Sequence, residues 1–203
     1  MARKGNFTVT IDPRLLAAEL TQGKNGAITA VKVRKAIEPD IAMKQREMVK
    51  RFIAHPVSSE ISEGANASNR SGTLGGYGNL FSFLGFESGE NPLEVVAQLL
   101  EAKLRYRVRS ARNGKMIITI YIPKPEEIFD LTPMPWAGSM SWSEAIEKGV
   151  SNAAAYIFNP AGFPNSSSGT GLQSKNKVSG VSFKTTPYIS AILKEFEKDL
   201  SKL

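Results

Sequence analysis

Apolar residues recur at every second position in "NFTVTIDP" (residues 6–13), where Phe7, Val9 and Ile11 alternate with polar neighbours. That period of two predicts a half-buried strand, ended by Pro13. "PRLLAAEL" then reads as a short helix, with Pro13 at its first position and Gly23 beyond its end. From Ile28 to His55 the spacing becomes three, four and seven, through Val33, Ile37, Ile41, Met48, Val49, Phe52 and Ile53. This predicts the longest helix, bent or split at Pro39, which removes a backbone hydrogen bond and crowds the preceding turn at about 3 kcal/mol. His55 closes that helix near the negative end of its dipole. Residues 55–79 are polar, small and interrupted by Gly and Pro, the composition of an exposed loop. Gly72, Gly75, Gly76 and Gly78 then abut an apolar run, Leu80–Phe86, that reads as a strand. The glycines are expected to be a joint between helix and sheet, with an interface loop at residues 75–78.

Further along, "NPLEVVAQLLEAK" has Asn91 as N-cap, Pro92 at the first helical position and Leu93, Val96, Leu99 and Leu100 on one side. "LRYRVRSARNGKMIITIYIP" reads as two strands joined at Asn113-Gly114, a strong hairpin signal. A two-residue turn there sets Arg112 opposite Lys115 and puts Arg105, Arg107 and Arg109 on one face with Ile122, Ile120 and Ile118. Tyr106, Val108, Ile117, Thr119 and Tyr121 share the other. Both faces are then partly apolar, which suits a ribbon packed on both sides, one side against a neighbouring subunit; the alternative is a slipped register within a monomer. "KPEEIFDL" reads as a short acidic helix begun by Pro125, residues 141–148 as a helix, and the stretch to Phe158 as helix or strand. Residues 159–180 form a long Gly/Ser/Asn-rich loop, expected to be functional or ordered by a partner. "TPYISAILKEFEKDLSKL" is an amphipathic helix with Ile189, Ile192, Leu193, Phe196 and Leu200 on one face. The expected fold is one α+β domain over residues 1–203: a long N-terminal helix packed on a small antiparallel sheet, a protruding β-hairpin, and a C-terminal helix. Its extended loops, 55–79 and 159–186, are expected to serve assembly contacts.

Composition narrows the chemistry. With 203 residues, 41% hydrophobic and 22% charged, the chain has the make-up of a globular domain. It has no cysteine and one histidine, which excludes disulfides, thiolate chemistry and Cys-ligated metals and leaves no set of nitrogen ligands for zinc. No apolar stretch is long enough to span a bilayer and the N-terminus has no apolar signal region, so a soluble, intracellularly made protein without membrane contact is expected. The net charge of +7 suits proximity to an anion, nucleic acid included. Lys32, Arg34, Lys35, Lys44, Arg46, Lys50 and Arg51 load the long helix, a pattern that most often marks a solvated face.

The glycine cluster lacks the lysine and hydroxyl of a Walker loop, since Asn79 and Leu80 follow Gly78, and no strand precedes it as a dinucleotide fingerprint requires. Glu126, Glu127 and Asp130 lie within one helical turn but no spacing marks them as a catalytic pair. The serines at 166–168 have no base partner. No enzyme and no cofactor are expected. Arg105, Arg107 and Arg109 beside Tyr106 fit a surface that tracks phosphates, without the signatures of sequence readout.

Two short motifs carry a resemblance: Ser71, Gly72, Thr73 and Leu74 leading into Leu80–Phe86, and "FKTTPYI" (183–189) before the last helix. With a basic N-terminal helix and an arginine-bearing hairpin in the same order, the chain resembles the tail-completion (neck) proteins of long-tailed bacteriophages. The resemblance departs from typical members at "GGYGN" (75–79) and over residues 134–180, which suggests added interface loops. It implies a structural virion protein, assembled in the host cytoplasm, forming a hexameric or dodecameric ring at the head–tail junction around the DNA channel. Its implied partners are itself, other connector proteins and the tail terminator, with electrostatic proximity to genomic DNA. Arg105, Arg107, Arg109, Arg112 and Lys115 are the implied interface or channel residues. A tail terminator or head-closure protein is the nearest alternative. A basic, non-specific nucleic-acid-binding protein is the alternative from another class, and an acid/base hydrolase using Glu126, Glu127 or Asp130 a third.

Overall fold

The computed structural model describes residues 5–11, 30–110, 116–150, 155–178 and 182–203. The fold is mixed α+β, as its sequence periodicities require. Backbone contacts divide it into two compact units, one of residues 1–49, 100–124 and 193–203, the other of residues 50–99 and 125–192. The predicted helix at "PRLLAAEL" and the Asn113-Gly114 turn lie outside the described residues.

The first unit holds a three-stranded antiparallel sheet: β1 (Gly5–Ile11), β2 (Arg105–Ser110) and β3 (Met116–Ile122), in the order β1-β3-β2. The hairpin register differs from the expected one by a single residue. Arg105 pairs with Tyr121, Arg107 with Thr119 and Arg109 with Ile117, while Tyr106 and Val108 pair with Ile120 and Ile118. The last pair, Ser110 with Met116, leaves an odd number of residues between the strands, whereas a two-residue turn requires an even number. Because side chains alternate, that change of parity moves every residue of one strand to the other face relative to its partner. The result is an amphipathic sheet, not a ribbon with two apolar faces: Met116, Ile118, Ile120 and Ile122 are buried on one face, and Arg105, Arg107 and Arg109 are exposed on the other. The slipped register is the one adopted. Phe7, Val9 and Ile11 of β1 stand opposite Ile120, Ile118 and Met116.

Helix α1 (Ala30–Ala54) contributes Val33, Ile37, Ile41 and Met48 to the buried side. It runs unbroken through Pro39, which overturns the expected split. Pro39 and Lys35, whose carbonyl the missing N–H leaves free of its helical partner, both lie on the exposed side of the helix. Ile53, expected in the apolar stripe, is instead 57% exposed. Gln45 on α1 donates from Nε2 to the carbonyls of Leu100 (2.7 Å) and Ala102 (2.8 Å), capping α4 (Glu94–Glu101).

The second unit contains α2 (Pro56–Ser62), α3 (Leu80–Leu84), α5 (Pro125–Phe129), the short pair β4 (Pro133–Met134) and β5 (Ala137–Ser141), α6 (Trp142–Lys148), and the hairpin β6 (Tyr156–Phe158) with β7 (Gly171–Gln173). The last helix, α7, is Ile189–Leu200. Two expectations are corrected here. Residues 55–79 are not all loop, because α2 and a 3-10 turn at Gly64–Asn66 occupy the first half. Pro56 sits at the helix's first position and His55 serves as its N-cap, so proline begins a helix where the composition suggested none. Leu80–Phe86 is not a strand. Asn79 caps α3 by accepting the Ser82 N–H (2.9 Å), and Gly85 ends it in the left-handed conformation at φ 81°. All five residues of α3 are buried, so its pattern is apolar all round and carries no helical period to read.

Candidate functional site

The glycine-rich joint is organised around Glu60, a buried acid on α2 that the sequence did not single out. The Ser71 N–H donates to its Oε2 (2.8 Å) and the Leu80 N–H to its Oε1 (2.7 Å). One carboxyl group thereby holds both ends of the 71–80 segment, and each of its oxygens is satisfied by the backbone, as a buried polar group requires. Asn79, also buried, donates from Nδ2 to the Ala65 carbonyl (2.7 Å). Tyr77 accepts the Phe158 N–H at its hydroxyl (2.8 Å), tying the loop to the β6–β7 hairpin. Gly78, at φ 63°, is packed so closely that a Cβ there would lie 2.6 Å from Tyr156 Cε1. Gly72, Gly75 and Gly76 share positive φ and with Gly78 turn the chain between α2 and α3, so the joint links helix to helix and not helix to sheet.

The two motifs quoted above meet in the fold. The Lys184 N–H donates to the Thr73 carbonyl (2.8 Å), and the hydroxyls of Thr73 and Thr186 lie 3.1 Å apart. Tyr188 is fully buried, with its hydroxyl 2.7 Å from that of Ser58 and its ring against Phe52, His55 and Trp142. Burial raises the Tyr188 pKa above the usual phenol range, so the hydroxyl stays protonated. His55 accepts the Val57 N–H at Nδ1 (3.3 Å), and its burial holds the imidazole below its ordinary pKa of 6.5, against a smaller opposing effect from the Pro187 backbone.

A second polar cluster joins elements of the fold. Thr132, Ser141 and Ser143 form a buried triangle of hydroxyls at 2.7–3.1 Å, which joins β5 to the start of α6 without a base beside it. Glu126 and Asp130 are exposed on and just after α5. Among the described residues no group of three or more His, Asp or Glu side chains is placed to hold a metal ion, and no helix is long and apolar enough to cross a membrane. The described part of the predicted long loop, residues 159–178, carries turns of its own. Phe163 N–H donates to the Gly169 carbonyl (2.7 Å) and Asn159 Nδ2 to that of Gly162 (2.9 Å), within the β6–β7 hairpin.

The arginine row lies on β2, an edge strand of its sheet. Arg105 and Arg107 line a pocket of about 640 Å³ that also receives Arg34 from α1, Lys103 from the turn before β2, and the rings of Tyr106 and Tyr121. The Arg34 guanidinium stands 5.0 Å from the Tyr106 ring centre, and that of Arg107 stands 6.0 Å from the Tyr121 ring. Lys103 pairs with Glu38 at 3.1 Å. Arg109 is exposed but does not line the pocket, and Arg112 and Lys115 lie outside the described residues. Sequence reasoning placed Tyr121 on the opposite face and treated Arg34 as part of a solvated helix. Only the strand register and the packing of α1 beside β2 bring the two to the arginines. Comparison with protein-family models, with curated proteins and with solved structures finds no match to this chain.

Proposed function

We propose that this chain is a structural subunit of a long-tailed bacteriophage neck, a tail-completion protein that assembles as a homo-oligomeric ring around the genome channel at the head–tail junction. The observation that carries the reading is the meeting of its two motifs: Ser71–Leu74 and Phe183–Ile189 are over a hundred residues apart in sequence, yet hydrogen-bond to each other through Thr73, Lys184 and Thr186. A pair of motifs that closes one part of the fold is what a shared architecture requires, whereas chance matches have no reason to touch. The element order supports the same reading, with a basic helix after the first strand, an arginine-bearing hairpin in the middle and a closing amphipathic helix. A subunit of this kind acts by surface complementarity. Its chemistry is the burial of matched faces between copies, and a cyclic arrangement satisfies every interface without leaving a free end.

The test is assembly. Purified protein, alone and mixed with the connector and tail-terminator proteins of the same phage, is expected to form closed rings in negative-stain electron microscopy, with a discrete multiple of the 22.1 kDa chain in mass photometry. Mass spectrometry of purified virions is expected to find the chain in the particle. A chain absent from the particle overturns the reading, and its position relative to the tail terminator and the head-closure protein separates the neighbouring roles.

A further inference from the structure

We infer that the pocket at the edge of β2 is a binding site for a nucleotide phosphate, presented by a single-stranded nucleic acid or by a free nucleotide. The inference does not rest on ring assembly, because the pocket lies within one compact unit of a single chain. Arg34, Arg105 and Arg107 converge there from two elements, and among the described residues no carboxylate lies within ion-pair distance of any of them. A cleft lined by one sign of charge concentrates counter-ions, and planar guanidiniums match the paired oxygens of a phosphate. A second observation is independent of charge. Tyr106 is only 9% exposed, and its hydroxyl is buried with no hydrogen-bond partner among the described residues. A buried donor without an acceptor is unusual in a folded protein and calls for an explanation, and Tyr106 is one of the residues lining this pocket.

The shape favours a nucleotide over a simple anion or an acidic peptide. At about 640 Å³ the pocket is in the size range of small-molecule sites, ~300–1,000 Å³, far more than one phosphate or carboxylate fills. The half-buried ring of Tyr121 beside Arg107 gives a stacking surface that bases use and that an aspartate or glutamate side chain leaves idle.

The experiment is fluorescence anisotropy of the full chain with fluorescein-labelled oligothymidylate at physiological salt. The Arg34→Gln/Arg107→Gln variant is expected to bind about tenfold or more weakly, and Tyr121→Leu about fivefold more weakly, through lost phosphate and stacking contacts. Arg107→Lys, which keeps the charge but loses the planar group, is expected to fall between wild type and the double variant. The control Arg46→Gln/Lys50→Gln removes two exposed charges of α1 outside the pocket and is expected to change binding less than about twofold. Thermal melts of all variants confirm that each remains folded. Competition by thymidine monophosphate assigns the free nucleotide, and competition by unlabelled strands alone assigns the nucleic acid; either supports the site. The inference is overturned if the control variant loses as much affinity as the pocket variant, if no binding is measurable at micromolar protein, or if polyglutamate competes better than oligothymidylate.

Discussion

At the scale of single residues the joint depends on Glu60, whose two carboxyl oxygens receive one backbone N–H from each end of the 71–80 segment. Glu60→Gln keeps one acceptor and turns an amide donor toward the other N–H, so it is expected to cost about 1–3 kcal/mol, the penalty of an unsatisfied buried group. A urea midpoint unchanged from wild type would show that the clamp is incidental. Gly78 and Gly76 separate two effects that usually travel together. Both hold positive φ, where an L residue costs about 1–2 kcal/mol, but only Gly78 has a side chain in the space of a Cβ. Gly78→Ala is therefore expected to destabilise by about 1–3 kcal/mol more than Gly76→Ala, since Tyr156 has to move. His55 sets a pH dependence. Its folded pKa lies below the unfolded value of 6.5, so the unfolded chain takes up the proton first as pH falls. Its contribution is complete above pH 6.5 and is lost as pH drops through the folded pKa. Denaturation curves between pH 8 and 5 are expected to show this slope in the wild type and its loss in His55→Asn, which retains an N-cap side chain.

At the scale of elements, α3 illustrates how capping overrides pattern. "LFSFLGF" has no β-branched residue and, apart from Ser82 and Gly85, is apolar and aromatic, which fits a buried strand or a buried helix equally. Asn79 at one end, whose side chain caps the Ser82 N–H, and Gly85 at the other, in the left-handed conformation, settle the matter. Asn79→Ala is expected to cost about 1 kcal/mol or more, because it removes the cap on Ser82 N–H and one of the two donors to the part-buried Ala65 carbonyl, which Thr170 Oγ1 also reaches at 3.1 Å. Circular dichroism and urea denaturation check it; Asn79→Asp, which keeps the cap, is expected to be less damaging to α3 itself. The β2–β3 pair teaches the complementary lesson. Alternation was visible in both strands, yet the face that each arginine occupies depended on one residue of loop length.

At the scale of the whole molecule, the net charge of +7 promises attraction to any polyanion, and the pocket concentrates three of those charges at one place. If Arg34, Arg105 and Arg107 each neutralise one phosphate, the triple glutamine variant is expected to flatten the salt dependence of single-strand binding by about 2 in the slope of log K against log salt. An unchanged slope would place the contacts elsewhere. The elements with strong amphipathic periods, α4, α7 and the two strands of the hairpin, and the long helix α1 with a weaker one, were legible in the sequence because one-sided burial writes a period of 3.6 or 2 into the residues. So were the α+β class and the helix at residues 141–148, since these rest on local spacing. What depends on partners distant in the chain was not legible. Glu60 looks like any surface acid until Ser71 and Leu80 close on it, and Arg34 like a solvated charge until it stands over Tyr106 beside the arginines of β2. Local sequence determined which segments are ordered and how; the tertiary structure alone decided which faces meet, because register parity and long-range hydrogen bonds join residues that no periodicity connects.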